Sequence, residues 1–163
     1  MGGSQRSSSA SLPKKYFRGL TRRKATQRRR EIAKFGALHW RDPSAYKGFK
    51  TDIGVPKKTS KYTEEWNRRF PQAKSLPAKA AAAGVPLGVL RESYNRGMAA
   101  WRTGHRPGAG EQQWGYARVH SLLLCGRTAV TADADLVRRA KRTAKARSWF
   151  NRTCKRYTWS AAH

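Results

Sequence analysis

Apolar residues along this chain recur at three- and four-residue spacings in short stretches, punctuated by glycine and proline, and no credible strand pair or internal repeat appears. The first helical stretch runs from Thr21, placed as an N-cap, to Gly36, which suits the position just past a helix end. Its apolar positions, Ala25, Ile32, Ala33 and Phe35, form only a thin stripe, so most of that helix is expected to face solvent or phosphate. Residues 37–58, with Pro43, Gly48, Gly54 and Pro56, read as an irregular basic connector. Tyr62, Trp66 and Phe70 then fall on one face of a short helix that Pro71 stops. Ser75 caps the next helix, Pro77 sits in its first turn, and Gly84 closes its alanine run. A further helix from about Pro86 to Trp101 carries Leu87, Leu90, Tyr94 and Met98 on one side. A loop from Thr103 to Gly110 leads into a helix that starts near Glu111 and ends at Gly126. A last helix follows, with Asp133 and Asp135 complementing its dipole.

The fold class expected is therefore mainly α: a small helical domain with a helix-turn-helix-like pair around Gly84-Val85-Pro86 and basic, partly extended arms at both ends. By composition, residues 1–13 form a low-complexity flexible tail, 14–58 the basic helix and connector, 59–150 the helical domain, and 151–163 a basic aromatic C-terminal arm. Leu, Ile and Val are few, so the core must draw on large aromatic side chains. Of the six tryptophans, Trp66, Trp101 and Trp114 are the expected core members.

Charge changes the picture most. Lys and Arg number 36 against 9 acids, for a net charge of +27 at pH 7. Such an excess binds polyanions, nucleic acid foremost, because neutralised phosphates release counterions without any need for base contacts. No apolar run approaches the roughly 20 residues of a membrane-spanning helix, so no span is expected. Met1–Ser11 has no apolar segment of the signal-peptide kind, which points to a non-secreted chain. Cys125 and Cys154 lack metal-ligand spacing and are expected as reduced thiols.

Between Arg102 and Gly126 a glycine-rich basic loop meets a short aromatic helix. There Gly104, Arg106, Pro107, Trp114, Ala117 and Arg118 spell G-x-R-P-x-x-x-x-x-x-W-x-x-A-R. This segment resembles an uncharacterised domain family of large eukaryotic DNA viruses and tailed phages, with a looser likeness from about Lys14 to Arg147. The resemblance implies a viral origin and no known chemistry. The loop lacks the P-loop pattern and a preceding strand. Arg106 and Arg118 suit two roles, anion contact and support of the loop, and both stay open.

The candidate nucleic-acid-binding residues are Arg22, Arg23, Lys24, Arg28, Arg29 and Arg30 on the first helix, Arg106 and Arg118 around the loop, and Arg138, Arg139, Lys141, Arg142, Lys145 and Arg147 on the last helix. The helix after Gly84 presents Leu87, Gly88, Val89 and Leu90 early, so contacts there are expected with phosphate rather than bases. Trp149, Phe150, Tyr157 and Trp159 are the candidate protein-interface anchors. His39, His105, His120 and His163 are scattered, and no paired-carboxylate or H-E-x-x-H pattern occurs. No enzyme activity, cofactor, metal or small-molecule substrate is expected. The reading is a structural protein of a double-stranded DNA virus particle, a minor capsid component on the genome-facing side. Its partners are duplex DNA and other virion or capsid proteins, and assembly takes place in the host cytoplasm or nucleus. A genome-condensing nucleoprotein and a ribosomal RNA-binding protein are the alternatives.

Overall fold

Local capping chemistry decides where most of the helices begin. In a computed structural model that describes residues 12–38, 42–46, 48–103 and 109–156, Thr21 accepts a hydrogen bond from the backbone of Lys24 and opens α1 (Arg22–Gly36). Ser60 does the same for α2 (Lys61–Arg69), and Ser75 for α3 (Leu76–Ala83). Gly84 ends α3 at φ +66°, a left-handed conformation that glycine takes without a Cβ penalty, and a Cβ there would lie 2.9 Å from that of Lys145. Next come α4 (Leu87–Thr103), α5 (Glu111–Leu123), the single turn α6 (Arg127–Val130), α7 (Ala134–Ala140) and α8 (Ala144–Arg156). Three short 3-10 turns, Lys14–Tyr16, Pro43–Tyr46 and Lys50–Asp52, flank α1. The fold is mainly helical, and no strand occurs among the described residues.

The connector after α1 thus contains two 3-10 turns, and the last helix is two helices. Thr143 makes the break: its hydroxyl accepts from the backbone of Ala146 and starts a new helix. The cores of α7 and α8 (Leu136, Val137 and Ala140; Ala146, Trp149 and Phe150) then pack on one interior cluster.

The core lies between α2, α3, α4, α5, α7 and α8. α5 supplies Val119, Leu122 and Leu123, and α4 supplies Val89 and Leu90. The α4–α5 pair is the most extensive helix packing of the fold. At their crossing a Cβ on Gly97 would come within 2.8 Å of the Gly115 backbone, so only glycine permits this approach. Trp66 is fully buried, and its indole N–H donates to the Ala73 carbonyl. Trp101 is also buried, whereas Trp114 is half-buried and not a full core member.

Three expectations about the C-terminal end are corrected. Trp149 and Phe150 belong to the core: Trp149 donates to the Leu123 carbonyl and packs on Trp66 and Phe70, and Phe150 is fully buried. The helical body therefore runs to Arg156, with Thr153 buried, and no arm begins at residue 151. Cys125 and Cys154 form a disulfide rather than two thiols, joining the end of α5 to the last turns of α8.

α1 is secured differently. Phe35 stacks on Phe49, which meets Trp101 of α4, so a small aromatic cluster docks the helix on the domain. Among the described residues no helix is long and apolar enough to cross a membrane.

Candidate nucleic-acid interface

In this chain the scarce acids decide which cations are left for a partner. Asp133 is fully buried just before α7 and accepts from Ser93 Oγ at 2.8 Å, Arg118 Nη2 at 2.7 Å and Nε at 3.0 Å, and Arg96 Nη1 at 3.2 Å. Arg96 also pairs with Asp135 and Glu92, and Glu92 pairs with Arg139. The Arg96 hydrogen bond holds the Asp135 carboxyl well below the usual carboxylate range, and Arg139 and Arg96 lower that of Glu92. This node ties α4, α5 and α7 together. It gives Asp133 a task beyond the dipole role expected for it, and no side-chain cap is formed there.

A second node secures α1. Arg28 is fully buried, donating to the Thr51 hydroxyl and pairing with Asp52. Glu31 accepts from the Thr51 hydroxyl and from the backbone of Lys50.

These nodes divide the expected contact residues. Arg28 is interior and structural, so it is withdrawn from any polyanion surface. Arg118, the last residue of the W-x-x-A-R run, faces Asp133 with only 16% of its side chain exposed and is likewise a structural ion-pair member. Arg139 is at the surface but neutralised by Glu92. Arg106, Tyr157 and Trp159 lie outside the described residues.

The remainder stay outward. On α1, Arg22, Arg23, Lys24, Arg29 and Arg30 are exposed, with the Arg29 guanidinium over the Phe17 ring at 4.8 Å. Arg138, Arg142, Lys145 and Arg147 are exposed on α7, α8 and the turn between them, and Lys141 is half-buried. α8 is sharply two-sided: Ala146, Trp149, Phe150 and Thr153 face inward, while Arg147, Ser148, Asn151, Arg152 and Lys155 line a shallow outer groove. That three- and four-residue stripe is a sequence signal for Trp149 and Phe150 as core residues, and it also identifies Arg152 and Lys155 as outward cations. No acid occurs anywhere in α8. A row of long cations beside a hydroxyl and an amide on one helix face offers charge and hydrogen bonds to successive phosphates, with no fixed geometry for reading bases.

A further cluster was not foreseen from the sequence. Lys79, within the alanine run of α3, is 2% exposed, and its ammonium donates to the Ala73 carbonyl at 2.6 Å under the rings of Trp66 and Tyr116. His120 is also buried, with Nδ1 2.9 Å from the Thr63 hydroxyl. Burial lowers the Lys79 pKa to about 8, and burial with the Lys79 charge lowers that of His120 to about 3. Among the described residues no group of three or more His, Cys, Asp or Glu side chains could hold a metal ion.

No curated protein and no solved structure matches the chain. A family model does match, over residues 13–153, which takes in every helix from α1 to α7 and most of α8. The chain belongs to that family, described as a family of unknown function (DUF5824).

Proposed function

We propose that this protein is a non-enzymatic, polyanion-binding structural protein whose outward faces of α1 and α8 hold duplex DNA by its phosphates. The observation that carries this reading is the segregation of charge. Asp52, Asp133, Asp135 and Glu92 are engaged with arginines of the fold, while the outer side of α8 carries Arg147, Arg152 and Lys155 with no acid on the same helix. Like charges at one-turn spacing repel one another on a bare helix, and a phosphate backbone relieves that repulsion.

Within this reading the setting is a double-stranded DNA virus particle, with the protein as a minor component on the genome-facing side of the shell. The resemblance around Trp114-Ala117-Arg118 supports that setting. The anchoring role towards capsid neighbours passes to Tyr157 and Trp159, now that Trp149 and Phe150 are core residues.

Binding to two unrelated duplexes across a salt series tests the DNA reading. Affinity should fall steeply and equally for both, with a log–log slope of about 0.9 per phosphate neutralised. A shallow slope, or a strong preference for one duplex, overturns it. Mass spectrometry of purified particles stripped with nuclease and high salt tests the setting: retention supports a shell component, and loss with the DNA supports a genome-condensing protein instead.

A further inference from the structure

Away from the basic faces, α2, α3 and α5 line a groove of about 660 Å³ that opens to solvent. That volume falls within the range of small-molecule sites and is far larger than a single inorganic ion requires. Its wall carries Thr63 and Asn67 from α2, Lys79 from α3, and Gln113, Tyr116 and His120 from α5. Lys74 lines it as well, and no carboxylate is among its described lining residues. In a chain where buried arginines are matched to acids, a buried lysine without one stands apart.

Two features indicate what the cavity takes. The Lys79 ammonium has one carbonyl partner and two ring faces, which stabilise the cation without neutralising it. His120 lines the same cavity, is 2% exposed, and its Nε2 is buried without a hydrogen-bond partner among the described residues. A buried polar atom left unpaired is destabilising, so a ligand atom that pairs it gains affinity. When the Thr63 hydroxyl donates to Nδ1, the ring proton sits on Nε2 and that atom is a donor. Two lysines, the ring N–H of that tautomer and the Asn67 amide make a donor-rich pocket suited to a dianionic head with an organic body, while the Gln113 amide donates to the Lys58 carbonyl.

We propose that this cavity binds a small organic phosphomonoester, its phosphate taken by Lys79 and the His120 Nε2–H and its body lying along Tyr116 and the polar face of α2. The phosphate belongs either to a free nucleotide or to the 5′ end of a nucleic-acid strand. The site does not depend on the DNA-binding reading of α1 and α8.

The experiment follows the His120 ring signals of the full chain by NMR during addition of adenosine monophosphate, adenosine, and a short single strand with a 5′-phosphate or a 5′-hydroxyl. Saturable shifts at His120 with the monophosphate and not with adenosine support the site, and the two strands then show whether a strand end is also accepted. Affinity should fall about tenfold between pH 7 and pH 9, as Lys79 loses its charge through about 8. Lys74→Ala, at an exposed position that leaves the core intact, should weaken binding several-fold. Lys79→Met should abolish it, with a thermal melt of the same sample reporting whether the variant is folded. An unmoved His120 signal at millimolar monophosphate overturns the proposal. So does an equal response to adenosine, or shifts confined to α1 and α8. Duplex binding measured on the same variants keeps the two readings separate: Lys79→Met should leave it unchanged.

Discussion

Arg28 and Arg29 are neighbours on α1, yet one is fully buried against Asp52 and Thr51 and the other lies exposed over Phe17. The same contrast recurs on a larger scale between the Asp133 node and the outer side of α8. In the node one carboxylate gathers donors from Ser93, Arg96 and Arg118, whereas α8 has a row of cations and no acid. Residue type is thus a poor guide to role in this chain. What separates a structural arginine from a contact arginine is whether the fold brings an acid to it. The interior node trades desolvation for close, multiple hydrogen bonds, and the outer row keeps its hydration at the surface.

The sharpest way to break this comparison is Asp133→Ala, which leaves Arg118 and Ser93 facing an empty position. Losing one partner of a buried pair costs about 3–5 kcal/mol, so urea unfolding should shift by a large fraction of the domain's stability. A loss below about 1 kcal/mol would place Asp133 among the dispensable surface acids.

The disulfide comes next. Cys125 and Cys154 are 29 residues apart, and closing a loop of that length contributes about 3.6 kcal/mol through the unfolded chain. Melting with and without reductant, beside the Cys125→Ser/Cys154→Ser double variant, should show a matching drop in both. A melt indifferent to reductant would mean that α8 is held by Trp149 and Phe150 alone.

Acid should weaken the interior and leave the outer row untouched. Folded His120 resists protonation down to about pH 3, whereas an unfolded histidine takes its proton near pH 6.5. Between those values the unfolded state binds more protons, so stability falls as pH drops through the window. Asp135 and Glu92, both lowered by arginine, add to the loss in the same direction at the acid end. Melting temperatures followed from neutral pH downward should decline from about pH 6.5, and His120→Gln should flatten the upper part of that decline. An unaltered profile in the variant would assign the acid sensitivity to the carboxylates alone.

The smallest effect on stability is expected where the effect on binding is clearest. Arg147→Gln with Arg152→Gln should change unfolding by no more than about 0.5 kcal/mol, as exposed substitutions do. The salt slope for duplex binding should decrease by about 0.9 for each phosphate that is no longer neutralised. An unchanged slope would remove α8 from the interface.

Much of the helical order was legible because its signals are local. Thr21, Ser60 and Ser75 cap helices through side chains three or fewer residues from their partners, and Gly84 ends α3 by its own backbone. The rest depends on distant partners. Arg118 meets Asp133 across 15 residues and Arg28 meets Asp52 across 24, separations that no local pattern encodes. Trp149 and Phe150 looked like interface anchors because cations surround them in sequence, although their spacing with Ala146 and Thr153 already describes a buried stripe. The α7–α8 break has no glycine or proline to announce it and arises from Thr143 and from packing. The Lys79–His120 cavity was hidden for the same reason as the disulfide: its members come from distant parts of the chain.

The close approach of Gly97 and Gly115 sets a constraint on descent. A methyl group at Gly97 would meet backbone atoms, and one at Gly115 would meet the Tyr94 ring. Gly97 cannot drift through alanine without the helices parting, which would pull Ser93 and Arg96 on α4 away from Arg118 on α5, whereas alanine at Gly115 requires the Tyr94 ring to move. Lineages that keep the shared carboxylate should therefore keep Gly97, whereas the cations on the outer side of α8 are free to change places with one another. Among relatives, Gly97 should be the slow-changing mark of this architecture and the basic surface the fast-changing one.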